Sequence, residues 1–454
     1  MKGIEQQIFQ NQLHFLKESQ YWPEERLREY QISELRKLLS LARDNVPYYK
    51  ELFEKNGIIP ETIISLESLK KIPFLTKDII KSRYSDFISV KADQSDLEYM
   101  TTGGSTGAPL KIMMDSRFKA LDLANTYFYM DVAGFNPLDF RSIRLHGNIL
   151  DSHLIKKGIY WILEENQRLV MSSYHISEET AGLYVDAINN HKPDYLHAFP
   201  SSASLLAYYI EKLGLSLDVK MKCVFCDCEV LYNYQRALIE RVFSGKVYNT
   251  YGHTEGSVLG ITCPHSRKIH LVSQVGIVEL LDYEGNTVTE PGVKGEIVVT
   301  GFYNHVMPFI RYRTFDVGIY SEQSCSCGRD FLLLDDVEGR IQDYVIDKNR
   351  HVIPIAPALF DYNFDWSGID RFQIYQDTPG KLTFRIVLDN DSVNPEEIIS
   401  RITIGFEKIL NSGFRIDVVI MDSIRRTNRG KYRYLEQKLN LVDDFRKDQH
   451  NKSQ

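Results

Sequence analysis

The sequence has no apolar run near the roughly 20 residues that a membrane-spanning helix requires, which argues against a membrane protein. It also lacks a strong excess of either charge. With 54 basic and 61 acidic residues spread along the chain, the formal net charge is only -7, which argues against nucleic acid as the main partner. Cysteine is scarce: six in 454 residues are too few for a disulfide scaffold and leave reduced thiols or a metal site as the expectation. Internal repeats and low-complexity tracts are absent, which excludes solenoid and linker-like architectures. The opening Met1-Lys-Gly-Ile-Glu-Gln-Gln7 begins a polar helix with no apolar signal core behind it, so a cytoplasmic protein is expected.

What is present is a globular composition. Hydrophobic residues make up 43% of the chain, enough for a sizeable core, and the length allows about two to four domains. Aromatic residues reach 12%; they suit flat or apolar ligands, although most of them are expected to fill the core.

Apolar spacing through Leu27, Tyr30, Leu35, Leu38, Leu39 and Ala42 predicts an amphipathic helix ending near Asn45-Val-Pro47, with more helix over 51–56. Between about 95 and 345 the pattern is mixed. Short strands over 219–225, 276–281 and 295–300 alternate with helices over 178–190 and 202–213, which is α/β character. The turn Asp282-Tyr-Glu-Gly-Asn286 joins two of these strands, so part of the sheet is expected to be antiparallel. The texture changes at 337–346, after which strand, helix (394–411) and strand (414–421) suggest a small α+β domain of about 100 residues. The expected division is a large domain over 1–340, a small one over 341–443 and a frayed tail over 444–454.

Six segments carry candidate chemistry. In Tyr99-Met-Thr-Thr-Gly-Gly-Ser-Thr-Gly-Ala-Pro-Leu-Lys111, glycines let backbone N–H groups approach an anion while Ser and Thr hydroxyls wrap its oxygens. It is not a Walker loop, because Ala108-Pro109 follows Gly107 where lysine and a helix would be needed. Val247-Tyr-Asn-Thr-Tyr-Gly-His-Thr-Glu255 puts a threonine and a carboxylate after a strand and a glycine turn. Met307-Pro-Phe-Ile-Arg-Tyr-Arg-Thr-Phe-Asp-Val-Gly318 leads Asp316 out of a strand, and Gly339-Arg340 stands at the domain boundary. Arg425-Arg-Thr-Asn-Arg-Gly-Lys-Tyr-Arg433 holds Lys431 in a basic loop, and Arg43 to Phe53 forms a helix end. Singly, each has an ordinary structural use: Glu255 as a carboxylate at a helix N-terminus, Asp316 as a turn former, Lys431 as part of a solvated basic face.

In this order and spacing the segments resemble the adenylate-forming superfamily, within it the branch of phenylacetate-CoA ligase and CapK-type capsular polysaccharide proteins. The resemblance spans nearly the whole chain. It implies an acyl-CoA synthetase-like α/β fold, with a large mixed-sheet N-terminal domain and a small mobile α+β C-terminal domain. It also implies an ATP-dependent ligase that converts a carboxylic acid to an acyl-adenylate and then transfers the acyl group to CoA or to a sugar-linked amine or hydroxyl. By the same resemblance Ser105, Thr106 and Gly107 would hold the β and γ phosphates, Thr254 the α-phosphate and Glu255 Mg²⁺. Tyr251, beside Gly252, would stack on adenine with Cys228-Glu229-Val230 on its other side. Asp316 would take both ribose hydroxyls, Arg340 would assist there, and Lys431 would bridge the carboxylate and the α-phosphate after domain closure. His197, Phe225 and His253 are candidates for the acid pocket, with Tyr127, Phe128 and Tyr129 as an aromatic wall. A homodimer is allowed, and a non-catalytic platform for polysaccharide assembly is the alternative function. Two departures stand out: Ala108 occupies a place often held by lysine or glutamate, and Phe315 replaces the glycine of Arg-Thr-Gly-Asp.

Cys263-Pro-His265 and Cys325-Ser-Cys327 pair close-spaced soft ligands from two loops and make a Cys₃His set suited to structural zinc. His265 is preferred over His270 because it shares the short loop with Cys263. Cys223-x-x-Cys226-x-Cys228 is read instead as strand cysteines, since alternation sends Cys223 and Cys226 to opposite faces.

Overall fold

A computed structural model describes residues 3–101, 110–135, 140–164, 167–231, 233–282, 285–322, 324–338, 344–350, 352–360, 364–388, 394–410, 413–424 and 435–439. The helices are α1 (Gly3–Ser19), α2 (Glu24–Asn45), α3 (Pro47–Asn56), α4 (Lys77–Ser82), α5 (Ser116–Val132), α6 (Ser152–Lys156), α7 (Ala181–His191), α8 (Pro200–Lys212), α9 (Asn233–Phe243), α10 (Ile355–Phe360) and α11 (Pro395–Ile409). The strands begin with β1 (Glu98–Thr101), β2 (Lys111–Met114), β3 (Ser142–His146), β4 (Trp161–Leu163), β5 (Arg168–Ser172), β6 (Tyr195–Ala198), β7 (Cys223–Cys226), β8 (Lys246–Gly252), β9 (Leu259–Cys263) and β10 (Ser266–Leu271). They continue with β11 (Gly276–Leu281), β12 (Lys294–Gly301), β13 (Tyr312–Tyr320), β14 (Leu332–Glu338), β15 (Tyr344–Ile346), β16 (Val352–Pro354), β17 (Ile369–Gln376), β18 (Lys381–Leu388), β19 (Arg415–Ile420) and β20 (Leu435–Gln437).

Local chemistry accounts for the predicted helices. In α2 the buried Leu27, Leu35, Leu38, Leu39 and Ala42 recur at helical spacing, and Glu24 and Glu25 complement the dipole in the first turn. Pro47 forces Val46 into extended backbone, ending α2, and then opens α3 at its first turn. Gly57, at φ 61°, closes α3 in the left-handed conformation.

Twelve strands among the described residues form one mixed sheet in the order β11-β12-β13-β14-β10-β9-β8-β7-β6-β3-β5-β4. Strands β5, β3, β6, β7 and β8 are parallel, joined by crossover helices α7, α8 and α9, whereas β8 through β11 around the other end pair antiparallel. Alternation along β7 sends Cys223 and Phe225 into one core and Val224 and Cys226 into another, on opposite faces. The three cysteines of that segment form no disulfide; two are buried and Cys228 is exposed.

The first core packs the N-terminal helices and α5 against the antiparallel end, and the second packs α7, α8 and α9 against the parallel end. A third core belongs to residues 345–435, where β19-β18-β17-β20 is backed by α11 through Ile398, Ile402 and Phe406. Arg311 anchors the start of β13 in the first core. Its guanidinium lies 2.9 Å from Glu279, donates to the Lys70 and Ile72 carbonyls at 3.0 and 2.8 Å, and covers the Phe74 ring.

Candidate active site

Open α/β sheets bind ligands beyond the carboxyl ends of their parallel strands, and the candidate residues gather there. Strand β8 carries Tyr251 and Gly252 to its end, and the following turn carries His253, Thr254 and Glu255. The turn is held by Ser257, which is buried between two glycine-bearing strands. A Cβ at Gly276 would lie 2.5 Å from the Ser257 carbonyl oxygen, and one at Gly301 would lie 2.5 Å from Ser257 Oγ, so only glycine permits this approach. Glu255 is thereby buried with its carboxylate 3.0 Å from His253 Nδ1. Burial alone would push this carboxyl up, but the facing His253 ring and local hydrogen bonding outweigh it and set Glu255 at about 2.

Asp316 reaches the same edge from β13, and the Tyr251 hydroxyl donates to its Oδ2 at 3.0 Å. The residue before it, Phe315, has φ 61°, so the left-handed backbone that glycine would favour is kept by a phenylalanine, with the Arg313 guanidinium 5.3 Å from its ring. Glu229 turns toward the start of α8, where its carboxylate accepts from the Ser201 N–H at 2.9 Å. Thus the geometry unites Tyr251, Gly252, His253, Thr254 and Glu255 in one segment and couples it to Asp316. Ser105, Thr106, Gly107, Arg340 and Lys431 lie outside the described residues.

The acid-pocket candidates separate. Phe225 is fully buried, its ring within 6 Å of those of Tyr129, Phe135, Tyr195 and Tyr248, and so packs the core. Phe128 is likewise buried, and Tyr127 packs edge-on against Phe9 of α1, leaving Tyr129 as the aromatic beside His197, with its hydroxyl 3.4 Å from Nε2. His197 meets a residue that sequence reading passed over. Asp227, just past β7, places Oδ2 at 2.7 Å from His197 Nε2 and Oδ1 at 3.4 Å from His146 Nε2 at the end of β3. Burial would raise Asp227, but the two imidazoles hold it well below the usual carboxylate range, while burial drops His146 to about 4. The only sequence signal was an aspartate and two histidines at consecutive strand ends.

The sulfur ligands converge, with one correction. Cys263, Cys325, Cys327 and His270 bring their ligand atoms within 4.8 Å of one another, whereas His265 is exposed outside the group. The reason is strand geometry: β10 folds back on β9 in an antiparallel pair, which returns the buried His270 to the sheet interior and leaves His265 in the turn. Cys263 Sγ and Cys325 Sγ are 3.7 Å apart, and Cys327 Sγ lies 3.3 Å from His270 Nε2. Tetrahedral zinc with bonds of about 2.3 Å to sulfur sets sulfurs about 3.7 Å apart, so these residues fit the ion. His270 Nδ1, 3.1 Å from the Lys268 carbonyl, is oriented with Nε2 toward the sulfurs.

A family model described as AMP-binding enzyme matches residues 66–308, and the chain belongs to that family. Its resemblance to the adenylate-forming superfamily, in the phenylacetate-CoA ligase and CapK branch, holds across the chain. Protein CapK of Staphylococcus aureus is 23% identical over 412 residues, covering 90% of this chain and 88% of CapK. Phenylacetate-coenzyme A ligase of Thermus thermophilus is 24% identical over 339 residues, covering 73% and 74% of the two chains. Among solved structures, 2-hydroxyisobutyryl-CoA ligase in complex with 2-HIB-AMP and CoA in the thioesterification state superposes with a TM-score of 0.62 at 18% identity, covering 96% of this chain and 94% of that one. The α/β architecture is therefore the adenylate-forming fold. No described helix is long and apolar enough to cross a membrane.

Proposed function

We propose that this protein activates a carboxylic acid as an acyl-adenylate and transfers the acyl group to a second substrate. A carboxylate resists attack by a thiol or amine because oxide would have to leave. Attack of the carboxylate oxygen on the ATP α-phosphorus, with loss of pyrophosphate, replaces that leaving group with AMP. The observation that carries the reading is the Tyr251–Asp316 pair beside the buried Glu255, at the carboxyl ends of the parallel strands in an AMP-binding chain.

Asp316 accepts from the ribose hydroxyls, and the Tyr251 ring flanks adenine while its hydroxyl holds Asp316 in place. Thr254 meets the α-phosphate. Glu255, ionised throughout the physiological range, fits a divalent cation, and Mg²⁺ bound there would neutralise charge developing on the phosphates. The family resemblance assigns the outer phosphates to Ser105, Thr106 and Gly107, ribose assistance to Arg340, and the carboxylate-to-phosphate bridge to Lys431. Lys431 would act when a small domain over 341–443 closes on a large one over 1–340. Cys263, His270, Cys325 and Cys327 would hold zinc, which cross-links two loops and supplies no chemistry to the reaction.

CoA is the favoured acceptor, on the likeness to phenylacetate-coenzyme A ligases. The likeness to CapK over nine-tenths of the chain supports a second reading, a sugar-linked amine or hydroxyl acceptor in surface polysaccharide synthesis or a non-catalytic role there. ATP–pyrophosphate exchange over a panel of acids tests the activation step. Exchange that is lost in Lys431→Ala while ATP still binds supports the enzyme; no exchange with any acid favours the platform. Hydroxamate trapping followed by competition between CoA and amino sugars separates the acceptors.

A further inference from the structure

The turn that carries Glu255 and the Cys₃His set belong to one hairpin. Strand β9 starts two residues past Ser257 and ends at Cys263, and β10 returns through His270 to Leu271. Beyond β10 the Val272 N–H donates to the Leu259 carbonyl at 2.8 Å, and the Val275 N–H donates to the Val272 carbonyl at 3.1 Å. This fold-back delivers Gly276 against Ser257, at the approach that only glycine permits. Cys263 and His270 therefore share a hydrogen-bonded unit with the turn bearing Glu255, whereas Cys325 and Cys327 reach the cluster from a separate loop.

That separate loop also grips the N-terminal segment. Arg329, two residues past Cys327 and buried, donates from Nε and Nη2 to Gln20 Oε1 at 2.9 and 2.6 Å and lies over the Tyr21 ring. Next to Gln20, Ser19 receives Gln274 Nε2 on its carbonyl at 3.0 Å and on its hydroxyl at 2.9 Å. Gln31 of α2 donates to the Gly276 carbonyl at 2.8 Å. Ser19, Gln20 and Gln274 are all buried, where a polar side chain that loses its partner is costly. The thiol cluster is thus tied to residues 274–276, and through them to Ser257, both along β10 and by way of Arg329 and α2.

We propose that this arrangement is a redox-sensitive brace for the nucleotide edge: the reduced, zinc-binding thiols hold the Glu255 turn in place, and oxidation of Cys263 and Cys325 to a disulfide releases it. The proposal rests on the acid-activation reading for what the turn binds, and adds a regulation to it. Cys263 Sγ and Cys325 Sγ stand 3.7 Å apart. They need approach by only about 1.7 Å to reach a disulfide bond of about 2.0 Å. Cys325 lies between the exposed Ser324 and Ser326, open to a small oxidant, and Cys263 is buried behind it. The oxidant is a hydroperoxide. The Cys325 sulfur attacks its terminal oxygen, the O–O bond breaks, and water or an alcohol leaves, giving a sulfenic acid. The Cys263 sulfur then attacks the Cys325 sulfur and water leaves, so two thiols lose two electrons to the peroxide and their protons end in the departing oxygens. Only Cys327 and His270 remain as ligands, too few for a closed tetrahedral site. Drawing Cys263 toward the 325–329 loop strains β9 at one end and the Arg329–Gln20 contact at the other, and both strains converge on Ser257.

The test treats the zinc-loaded full chain with stoichiometric hydrogen peroxide. Released zinc is read with a chromogenic chelator, the linked cysteines by peptide mass spectrometry, AMP affinity by titration calorimetry, and backbone opening by amide hydrogen exchange. The expected result is zinc release with a Cys263–Cys325 link, faster exchange over 253–259 and 272–276, and an AMP Kd raised about tenfold or more. Reductant with added zinc should restore all four. Cys228→Ser, which removes the exposed thiol outside the cluster, should respond to peroxide as the wild type does. Retained zinc, a different cysteine pair, an unchanged exchange pattern, AMP affinity within twofold of the reduced protein, or a response that disappears in Cys228→Ser overturns the proposal. Failure of the untreated protein to bind AMP overturns the acid-activation reading instead, and the zinc, mass and exchange measurements still decide the brace. All of the measurements except the Cys228→Ser control are made on the wild-type chain, so they stand if the variant does not fold.

Discussion

Removing the Asp316 carboxylate should weaken nucleotide binding far more than it weakens the fold. Its Oδ2 accepts a hydrogen bond from Tyr251 at 3.0 Å, and a carboxylate, with about four acceptor positions, can take two ribose hydroxyls besides. Hydrogen bonds to a charged group contribute about 1.5–3 kcal/mol each, so losing two costs roughly 3–6 kcal/mol of nucleotide affinity, with relaxation and water drawing the result toward the lower figure. At 1.4 kcal/mol per tenfold, Asp316→Ala should raise the Kd for AMP at least about 10²-fold. Asp316→Asn keeps one acceptor and should fall between. Tyr251→Phe removes only a bond that orients the carboxylate, and should change AMP affinity by less than about tenfold. Isothermal titration with AMP, alongside thermal melts of each variant, gives the comparison. If Asp316→Ala binds AMP within twofold of the wild type while folding normally, the assignment of this edge to the nucleotide is refuted.

Other consequences are as specific. Gly301→Ala drives a Cβ to within about 2.6 Å of Ser257 backbone and side-chain atoms, so it should lower stability by about 1–3 kcal/mol and reduce exchange activity by moving the turn that bears Glu255; chemical denaturation and exchange rates measure the two effects. Protein purified without added metal should carry close to one zinc per chain by mass spectrometry, unchanged in His265→Ala and lost in His270→Ala; equal loss in both would contradict the ligand set. Acid should loosen the fold through His146. Its folded pKa of about 4 lies below the ordinary 6.5, so the unfolded chain binds the proton more readily. Its contribution is therefore full above pH 6.5 and is lost as pH falls toward 4, on the order of 3 kcal/mol. Denaturant midpoints at pH 7, 5.5 and 4.5 should decline in wild type, and less steeply in His146→Leu.

Much of the fold is legible locally. The α2 periodicity and the Pro47 break predict the first helices, and the apolar runs at 276–281 and 295–300 become β11 and β12 within a residue of their ends. The run at 219–225 overreaches, because β7 pairs only from Cys223, where Lys246 of β8 and Tyr195 of β6 come into register. Strand-turn chemistry and family order mark Tyr251, Glu255 and Asp316 as candidates, and the structure pairs the first with the last. Phe315 stands where the resemblance leads one to expect glycine, and its left-handed backbone explains why glycine suits that position.

Two features of the structure lie beyond local reading for one cause: each depends on which strands become neighbours. His265 lies nearer to Cys263 in sequence, yet the β9–β10 reversal hands the ligand position to His270. His146, His197 and Asp227 are far apart along the chain and meet only because β3, β6 and β7 lie side by side in parallel, with their carboxyl ends together. Composition, periodicity and ordered motifs determined the class of this protein, an α/β AMP-binding chain, because those signals are local and survive without knowledge of partners. The tertiary structure alone decided which histidine joins the thiols and which acid group faces His146, because strand order and register are set by packing between segments that the sequence does not place next to each other.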